Sequence, residues 1–581
     1  MQRTLPSSRV CDRCNQARPT CSRCSELGET CRYSLIRRKP GPLRGSRHTR
    51  AGRNQARVRT SDPHIGEGVI SGEEYAPTRS EHVSHSTSSL TGPSPGIGDS
   101  SPQFSGSQST SHQQFTTQQV EFLLSSYFDN FQDANPIFSK EGFFNRYQNS
   151  LCAEDLISTM VIITAKLTGF AANGGDLRDL DAELDLLLST SLLEDDLVGD
   201  TPSLDQFRKA YLLAFYEFHQ FPGHHAWLRV GRVTRMAYRI GIDRLDHVRM
   251  LYSDWGAVSS EDIQEWRWIW WCIYRLDCYT NLSSRMPYLI DDACINTSFI
   301  GSNTLLHSDM AENIPREFSL PLSPENIPKI LLTVPSQPDT LLRNVHTITT
   351  ATLRQVGQVV RMHLVRSPQA TLMEAVNTEQ LLATIRTILP PGWLNTRRNA
   401  FANESHNDYH TRMVTILHLR MAQLLLAIVD CGQRRGADEW LAGWERIIEP
   451  CQDMASIAER WDSAFCLAVD PAISFTLFTA LIFLDLHKKT TTTGTTSTTA
   501  NEPSSSIIDH HITILRLQLE HFAQVWTLPR LLKLSFESFH QSVSGPLTHS
   551  HIALILSHFE APLHPRWLQF LSTAHTVLTV S

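Results

Sequence analysis

The sequence lacks the features that mark secreted and membrane proteins. Its first residues contain no apolar run, so we expect no secretory signal peptide there. The longest apolar stretch, residues 472–484, is interrupted by hydroxyl side chains and is shorter than the roughly 20 residues that cross a bilayer. We therefore expect a buried helix at this position, an intracellular protein and no membrane partner.

Known catalytic motifs are absent as well. The chain contains no G-x-x-x-x-G-K-[ST] phosphate loop, no G-x-G-x-x-G, no H-E-x-x-H and no G-x-S-x-G. Alternation of polar and apolar residues, which is typical of strands, is scarce. The sequence therefore predicts a helical protein that is not an enzyme.

Cysteine is sparse except at the start of the chain. Five of the twelve cysteines form two C-x2-C pairs and one further thiol, namely Cys11, Cys14, Cys21, Cys24 and Cys31. Two thiolates at C-x2-C spacing can bind one tetrahedral zinc ion from a single turn, and reduced intracellular thiols favour metal over disulfides. We therefore predict zinc as a cofactor. The other seven cysteines are scattered through apolar sequence and predict small buried side chains.

Acidic side chains are rare in the same region. Residues 1–60 contain fifteen Lys plus Arg and three acids, a net charge of +12, whereas the whole chain has a formal net charge of −7. A basic head on an acidic body favours a polyanionic partner at one end only. Within this segment the residues that we predict to contact DNA are Arg13, Arg18, Arg37, Arg38 and Lys39.

Residues 11–33 resemble the fungal binuclear zinc cluster (Zn(2)-C6 type) of transcription factors. The matching segments are CDRC at 11–14, RPTCSRC at 18–24 and CRYS at 31–34. In that family six cysteines hold two zinc ions, and two of the cysteines bridge both metals. If Cys21, Cys24 and Cys31 match the last three family positions, they and Cys11 supply four sulfurs to one zinc. The other zinc would keep Cys11, Cys14 and Cys21.

The cluster departs from the family pattern between its two halves. Relative to the family pattern, roughly seven residues are missing between Ala17 and Arg18, including the third cysteine and most of the basic helix that reads DNA in the family. The family's guanine-binding Lys also has no counterpart, because no Lys precedes Lys39. Two explanations stay open: a lost piece of an exon, or a degenerate member with weak DNA binding.

The segments after the cluster predict linkers. Residues 34–60 are basic and rich in Gly and Pro, which suits a linker that contacts phosphates. No sustained apolar heptad follows for the coiled-coil dimer that is frequent in the family, so a homodimer stays open. Residues 61–115 are Ser, Thr, Gly, His and Pro with few apolar side chains, and we expect a disordered linker there.

Residues 116–581 predict a large all-α domain. Apolar residues recur at helical spacing from Val120 onward, and Arg267 and Asp277 are predicted to form structural ion pairs with neighbours. Later helices are predicted at Thr352–Val365, Thr378–Leu389, Thr411–Asp430, Gly443–Arg460 and Ile507–Trp526. The fold class is thus a small zinc-stabilised module, a disordered linker and a large helical body.

The middle of this body resembles the fungal-specific regulatory domain, also called the middle homology region. The resemblance rests on HAWL at 225–228, EWRWIWWCIYRLD at 265–277 and SRMP at 284–287, where the family usually has Gly-Arg-Pro. It implies a nuclear, zinc-dependent factor that binds CGG-type double-stranded DNA and regulates RNA polymerase II genes, such as a metabolic or secondary-metabolite cluster. A small-molecule effector or a co-regulator would act on the helical body. The alternative is a degenerate regulator that no longer binds DNA and acts through that body.

Overall fold

The computed structural model describes most of the predicted helical domain. The described residues are 115–170, 177–190, 202–301, 319–321, 323–334, 340–363, 368–398, 404–432, 437–491 and 502–580. The predicted zinc cluster at 11–33 and the basic linker at 34–60 lie outside them. The predicted disordered linker at 61–115 does too, except for Phe115.

The described residues form nineteen α-helices and no strand, which confirms the prediction of an all-α body. The first nine are α1 (Thr117–Asn130), α2 (Lys140–Gln148), α3 (Glu154–Thr168), α4 (Leu177–Thr190), α5 (Leu204–Gln220), α6 (His224–Ile240), α7 (Leu245–Leu251), α8 (Ser253–Gly256) and α9 (Ser260–Ser284). The other ten are α10 (Ile327–Thr333), α11 (Leu341–His363), α12 (Pro368–Ile388), α13 (His406–Cys431), α14 (Ala437–Glu459), α15 (Ser474–Thr491), α16 (Glu502–Val525), α17 (Thr527–Ser542), α18 (His549–His558) and α19 (Pro565–Val580).

Local sequence sets where several helices begin and end. Ser203 and Ser405 cap the first turns of α5 and α13, and in each case the residue three positions later returns a hydrogen bond to the cap. Gly241 ends α6 in the left-handed conformation, with φ 83°. A Cβ at Gly241 would lie 2.7 Å from Val248 Cγ2, so glycine is required at this turn both for its backbone angle and for space.

The core runs through helices that are apolar on nearly every side. Helices α3, α9 and α13 have buried residues all round their circumference, and Trp270 on α9 is fully buried. Two segments, His406–Cys431 and Pro471–Thr490, are long and apolar enough to cross a membrane, but 83% and 89% of their apolar windows are buried inside the body. This confirms the buried helix predicted at 472–484.

Candidate functional site

The residues predicted to bind zinc or DNA lie outside the described part of the chain. They are Cys11, Cys14, Cys21, Cys24 and Cys31 for zinc, and Arg13, Arg18, Arg37, Arg38 and Lys39 for DNA. These assignments stay predictions. The candidate site that the structure does describe lies in the helical body, around the Trp-rich helix α9.

Helix α9 carries charged side chains in a buried, mostly apolar setting. Near its start, Glu265 accepts hydrogen bonds from Arg208 at 2.5 Å and from the backbone amide of Ser139 at 3.0 Å. Arg208 also donates to Asp205 at 2.9 Å, and its guanidinium lies 4.6 Å from the centroid of the Phe138 ring. These contacts join α9 to α5 and to the start of α2.

The predicted ion pairs of Arg267 and Asp277 are both present. Arg267 donates to Asp246, whose second oxygen accepts the backbone amide of Ser298 at 2.7 Å. Asp277 is fully buried and accepts a hydrogen bond at 2.6 Å from Arg354, which is fully buried as well. The prediction of structural pairs is therefore confirmed, and the Arg354 pair joins α9 to α11.

Asp277 also shapes the segment that follows α9. It accepts the backbone amides of Leu289 and Ile290 at 3.1 and 3.2 Å, while Arg354 donates to the Ile290 carbonyl. The Arg354 guanidinium lies 4.1 Å from the centroid of the Tyr288 ring. A buried carboxylate needs this many donors to offset its loss of water.

Arg275 is a further buried charged residue on α9. It donates to the carbonyl of Ala134, and its Nε lies 3.5 Å from Asp470 Oδ2. Asp470 Oδ1 lies 3.2 Å from His219 Nε2. Burial would raise the pKa of Asp470, but the hydrogen bond and charge of His219 and the charge of Arg275 hold it below its ordinary value.

A cavity of about 100 Å³ opens directly above Arg275. It lies between α9, α11, the start of α13 and the turn after α1. Its apolar wall consists of Pro136, Trp268, Trp271, Tyr274, Ile300 and Leu342. Its polar lining consists of Asp133, Arg275, Arg343, His346, Asn407 and Asp408, with Thr347, Thr350 and Thr411 between them.

The half-buried rim of the cavity carries charges of both signs. Asp133 accepts a hydrogen bond from Asn407, and Asp408 accepts the backbone amide of Ser405 at 3.3 Å as part of the α13 cap. Burial raises the pKa of Asp133, the charge of Arg343 opposes that shift, and the charge of Asp408 adds to it. Two neighbouring carboxylates in a partly buried site favour a cationic partner.

Arg343 faces these carboxylates without contacting them. Its guanidinium lies 5.2 Å from the centroid of the Trp268 ring, and within the described part of the chain it forms no ion pair. A guanidinium over an aromatic face keeps its outer N–H groups available for an acceptor. Among the described residues, the rim therefore combines one cation without an ion pair and two carboxylates.

His346 forms the floor of the cavity, and other neutral polar side chains lie behind it. Burial first, and then the charges of Arg275 and His418, hold the pKa of His346 well below its ordinary value, so its imidazole is neutral. His346 Nε2 is buried and makes no hydrogen bond within the described residues. The His346 and His418 ring centroids are 5.2 Å apart, and His418 Nε2 lies 2.6 Å from the hydroxyl of Tyr279.

This lining suits binding rather than covalent chemistry. Cys272 is the thiol in the cavity wall, and burial raises its pKa above the ordinary value, so it is held as the weakly nucleophilic thiol. Over the ranges that the structure describes, no three His, Cys, Asp or Glu side chains are placed to hold a metal ion together. Charged and hydrogen-bonding side chains beside an apolar wall suit the binding of a small polar molecule.

Sequence reasoning identified Arg267 and Asp277 but missed Arg275, Arg343 and His346. Arg275 could have been found, because it lies two residues before Asp277 in a run of six aromatic or aliphatic residues where a charge needs a partner. No signal marks Arg343 or His346, since the α11 sequence around them is ordinary amphipathic helix.

The comparisons with known proteins agree with the predicted regulatory domain. Residues 124–349 match the family model described as the fungal specific transcription factor domain. This range contains all the segments on which the resemblance of the middle region rests. It also contains the α9 and α11 parts of the cavity up to Thr347, whereas Thr350 and the α13 residues lie beyond it.

Two curated relatives are both transcriptional regulators by name. Transcription factor tazR of Aspergillus terreus is 26% identical over 174 residues, which is 29% of this chain and 27% of that protein. Lactose regulatory protein LAC9 of Kluyveromyces lactis is 25% identical over 175 residues, which is 29% of this chain and 18% of that protein. The matches therefore span about a quarter or less of these relatives. No solved structure matches the chain.

Residues 124–349 are therefore similar to a domain of fungal transcription factors, and the matches point to a regulator that is not an enzyme. The prediction of a non-enzymatic protein thus agrees with the comparisons.

Proposed function

We propose that this chain is a nuclear regulator of RNA polymerase II transcription that binds DNA through its N-terminal segment and receives a signal through its helical body. The observation that carries the proposal is the match of residues 124–349 to the fungal specific transcription factor domain. Relatives that are named as transcription regulators support it, and regulation of transcription implies a nuclear location.

In this proposal zinc folds the N-terminal segment. Cys11, Cys14, Cys21, Cys24 and Cys31 hold the metal, and the surrounding arginines, with Lys39, contact the phosphate backbone of CGG-type elements. The asymmetry of charge supports this arrangement, since +12 is carried by the first sixty residues of a chain whose net charge is −7. A homodimer and a metabolic or secondary-metabolite gene cluster as the target belong to the same proposal.

A second candidate function is regulation without DNA binding, through the helical body alone. The observation that favours it is the shortened stretch between Cys14 and Cys21, which leaves out the third cysteine and the basic helix of the family pattern.

A zinc assay and a gel shift on the full-length chain separate the two. We expect bound zinc by elemental analysis, and a shift of CGG-containing duplexes that a chelator abolishes and added zinc restores. Cys14→Ser should lose the shift, whereas Cys294→Ser, which replaces an exposed cysteine of the helical body, should keep it. A chain that carries zinc but never shifts DNA supports the second candidate, and a chain without zinc contradicts the first.

A further inference from the structure

The cavity above Arg275 has a lining that no assigned function explains. Its volume of about 100 Å³ is smaller than the roughly 150 Å³ that hold benzene in an engineered protein cavity. Its occupant is therefore a molecule of only a few non-hydrogen atoms. The rim residues are half-buried, so such a molecule could enter from solvent.

The arrangement of charge restricts the occupant further. Asp133 and Asp408 both line the rim, and each has one carboxylate oxygen that accepts a hydrogen bond from a neighbour. Arg343 lines the same rim, with Trp268 beneath its guanidinium and no ion pair to an acid among the described residues. A purely anionic ligand would face two carboxylates, and a purely cationic one would face Arg343, so neither fits the whole rim.

The floor and wall supply the remaining contacts. His346 Nε2 is a buried nitrogen with no hydrogen-bond partner among the described residues, and an unsatisfied buried polar atom is costly unless something occupies the site. The wall formed by Trp271, Ile300 and Leu342 is apolar and suits a short aliphatic group.

We propose that this cavity binds a small zwitterionic α-amino acid, whose carboxylate contacts Arg343 and His346 and whose ammonium group contacts Asp133 and Asp408. The side chain, of about the size of a methyl group, lies against the apolar wall. Because α9, α11 and α13 all contribute lining residues, the ligand joins three core helices at one point. The inference rests on the proposed function in one respect: the bound amino acid is the signal that the helical body receives.

Calorimetric titration of the full-length protein tests the inference without DNA. The probes are L-alanine and its two halves, propionate and ethylamine, at the same ionic strength. L-alanine should bind about tenfold or more tightly than either half, because each half loses one set of charge-assisted hydrogen bonds. Equal affinity for alanine and propionate, equal affinity for alanine and ethylamine, or no binding of any probe overturns the proposal.

Variants assign the two ends of the ligand. Arg343→Gln should weaken L-alanine about tenfold or more and leave ethylamine unchanged, whereas Asp133→Asn should weaken L-alanine and leave propionate unchanged or tighter. Arg343→Lys keeps the charge and should retain part of the affinity. The matched controls are Arg446→Gln and Asp155→Asn, which change exposed or partly exposed ion pairs outside the cavity and should alter no affinity.

Folding of each variant is checked by its melting temperature. Alanine binding that is insensitive to both Arg343→Gln and Asp133→Asn contradicts the assignment. Because these titrations contain no DNA, their failure leaves the proposed transcriptional role intact. Conversely, a chain that fails to shift DNA can still bind the amino acid.

Discussion

At the scale of single residues, the most unusual side chains are the buried histidines beneath the cavity. His418 is 1% exposed, its Nε2 lies 2.6 Å from the Tyr279 hydroxyl and its Nδ1 lies 3.2 Å from Thr349 Oγ1. Burial and the nearby charge of Arg275 lower the pKa of His418 to about 3. Both ring nitrogens contact neutral hydroxyl groups, so no carboxylate in direct contact offsets the cost of burying a charged imidazole.

This histidine should make the protein less stable in mild acid. Its pKa is depressed in the folded state and close to 6.5 in the unfolded chain, so its contribution is fully present above pH 6.5 and is lost as pH falls toward 3. Between pH 6 and 5 we expect it to cost about 1 kcal/mol per pH unit. His418→Gln should reduce the pH slope of the free energy of unfolding by that amount, measured by urea unfolding.

The control for this experiment is His225→Gln. His225 is an exposed side chain at the start of α6, so its substitution removes a histidine from the protein without disturbing the buried cluster around His418. Since His418→Gln also loses hydrogen bonds at neutral pH, only the slope is diagnostic, and an unchanged slope in His418→Gln would contradict the interpretation.

At the scale of helices, α9 is held in register by charges rather than by apolar contacts alone. Buried ion pairs join it to α5, α7, α11 and the residue that precedes the short 3₁₀ helix Pro471–Ile473. Such pairs add less to stability than apolar contacts of equal size, but each is satisfied in only one register. We infer that they fix where α9 sits, and so where the cavity above Arg275 is formed.

For the five later helices that the sequence analysis bounds, the sequence predicts where they end but not where they begin. Five helices from α11 onward end within two residues of the predicted positions, and all five begin five to eleven residues earlier than predicted. Breakers mark the ends, for example Pro390 after α12 and Gly432 after α13. First turns such as His406–Tyr409 are mostly polar, and the Ser405 cap stabilises this one. Such turns show no apolar periodicity, so the pattern does not reveal where the helix begins.

The cavity itself could not be predicted from the sequence. Its lining comes from five segments, at residues 133–136, 268–275, 300, 342–350 and 407–411. Helical periodicity assigns faces within one helix, but it does not say which helices meet. Only the helix containing Trp268 and Arg275 carries a local signal.

Close packing of α11 against the end of α9 depends on a glycine inside α11. A Cβ at Gly357 would lie 2.2 Å from the Tyr288 hydroxyl and 2.6 Å from Leu282 Cδ1. The Tyr288 ring cannot move away freely, because the buried Arg354 guanidinium lies against it. Gly357→Ala should therefore destabilise the protein by about 1–3 kcal/mol, although alanine favours helices by about 1 kcal/mol.

Gly231→Ala is the matched comparison. Gly231 also lies inside a helix, α6, but its nearest neighbour would be Leu289 Cδ1 at 3.4 Å, which an added methyl group can accommodate. The substitution should be neutral or stabilising by up to about 1 kcal/mol. Chemical unfolding of both variants measures the difference, and equal effects would show that close approach at Gly357 is not the reason for its glycine.

At the scale of the whole molecule, the two parts of the chain carry opposite net charges. The helical body and its linker carry the acidic excess, and the first sixty residues carry the basic one. Non-specific attraction to DNA would therefore come from the N-terminal segment, with the body repelled by phosphates. This separation would let the body respond to a ligand without contacting DNA.

Salt dependence of DNA binding tests that separation. Each basic side chain that neutralises a phosphate contributes about 0.9 to the slope of log K against log salt concentration. Replacing Arg37, Arg38 and Lys39 together by alanine should lower the slope by about 3 and weaken binding to all duplexes alike. Gel shifts between about 50 and 200 mM salt measure this slope.

The control replaces Lys140, Lys488 and Arg516, surface cations of the body that form ion pairs with Asp129, Asp509 and Glu537. If this control lowers the slope as much as the N-terminal triple variant does, the body also contacts DNA. The assignment of phosphate contacts to the N-terminal segment alone is then wrong.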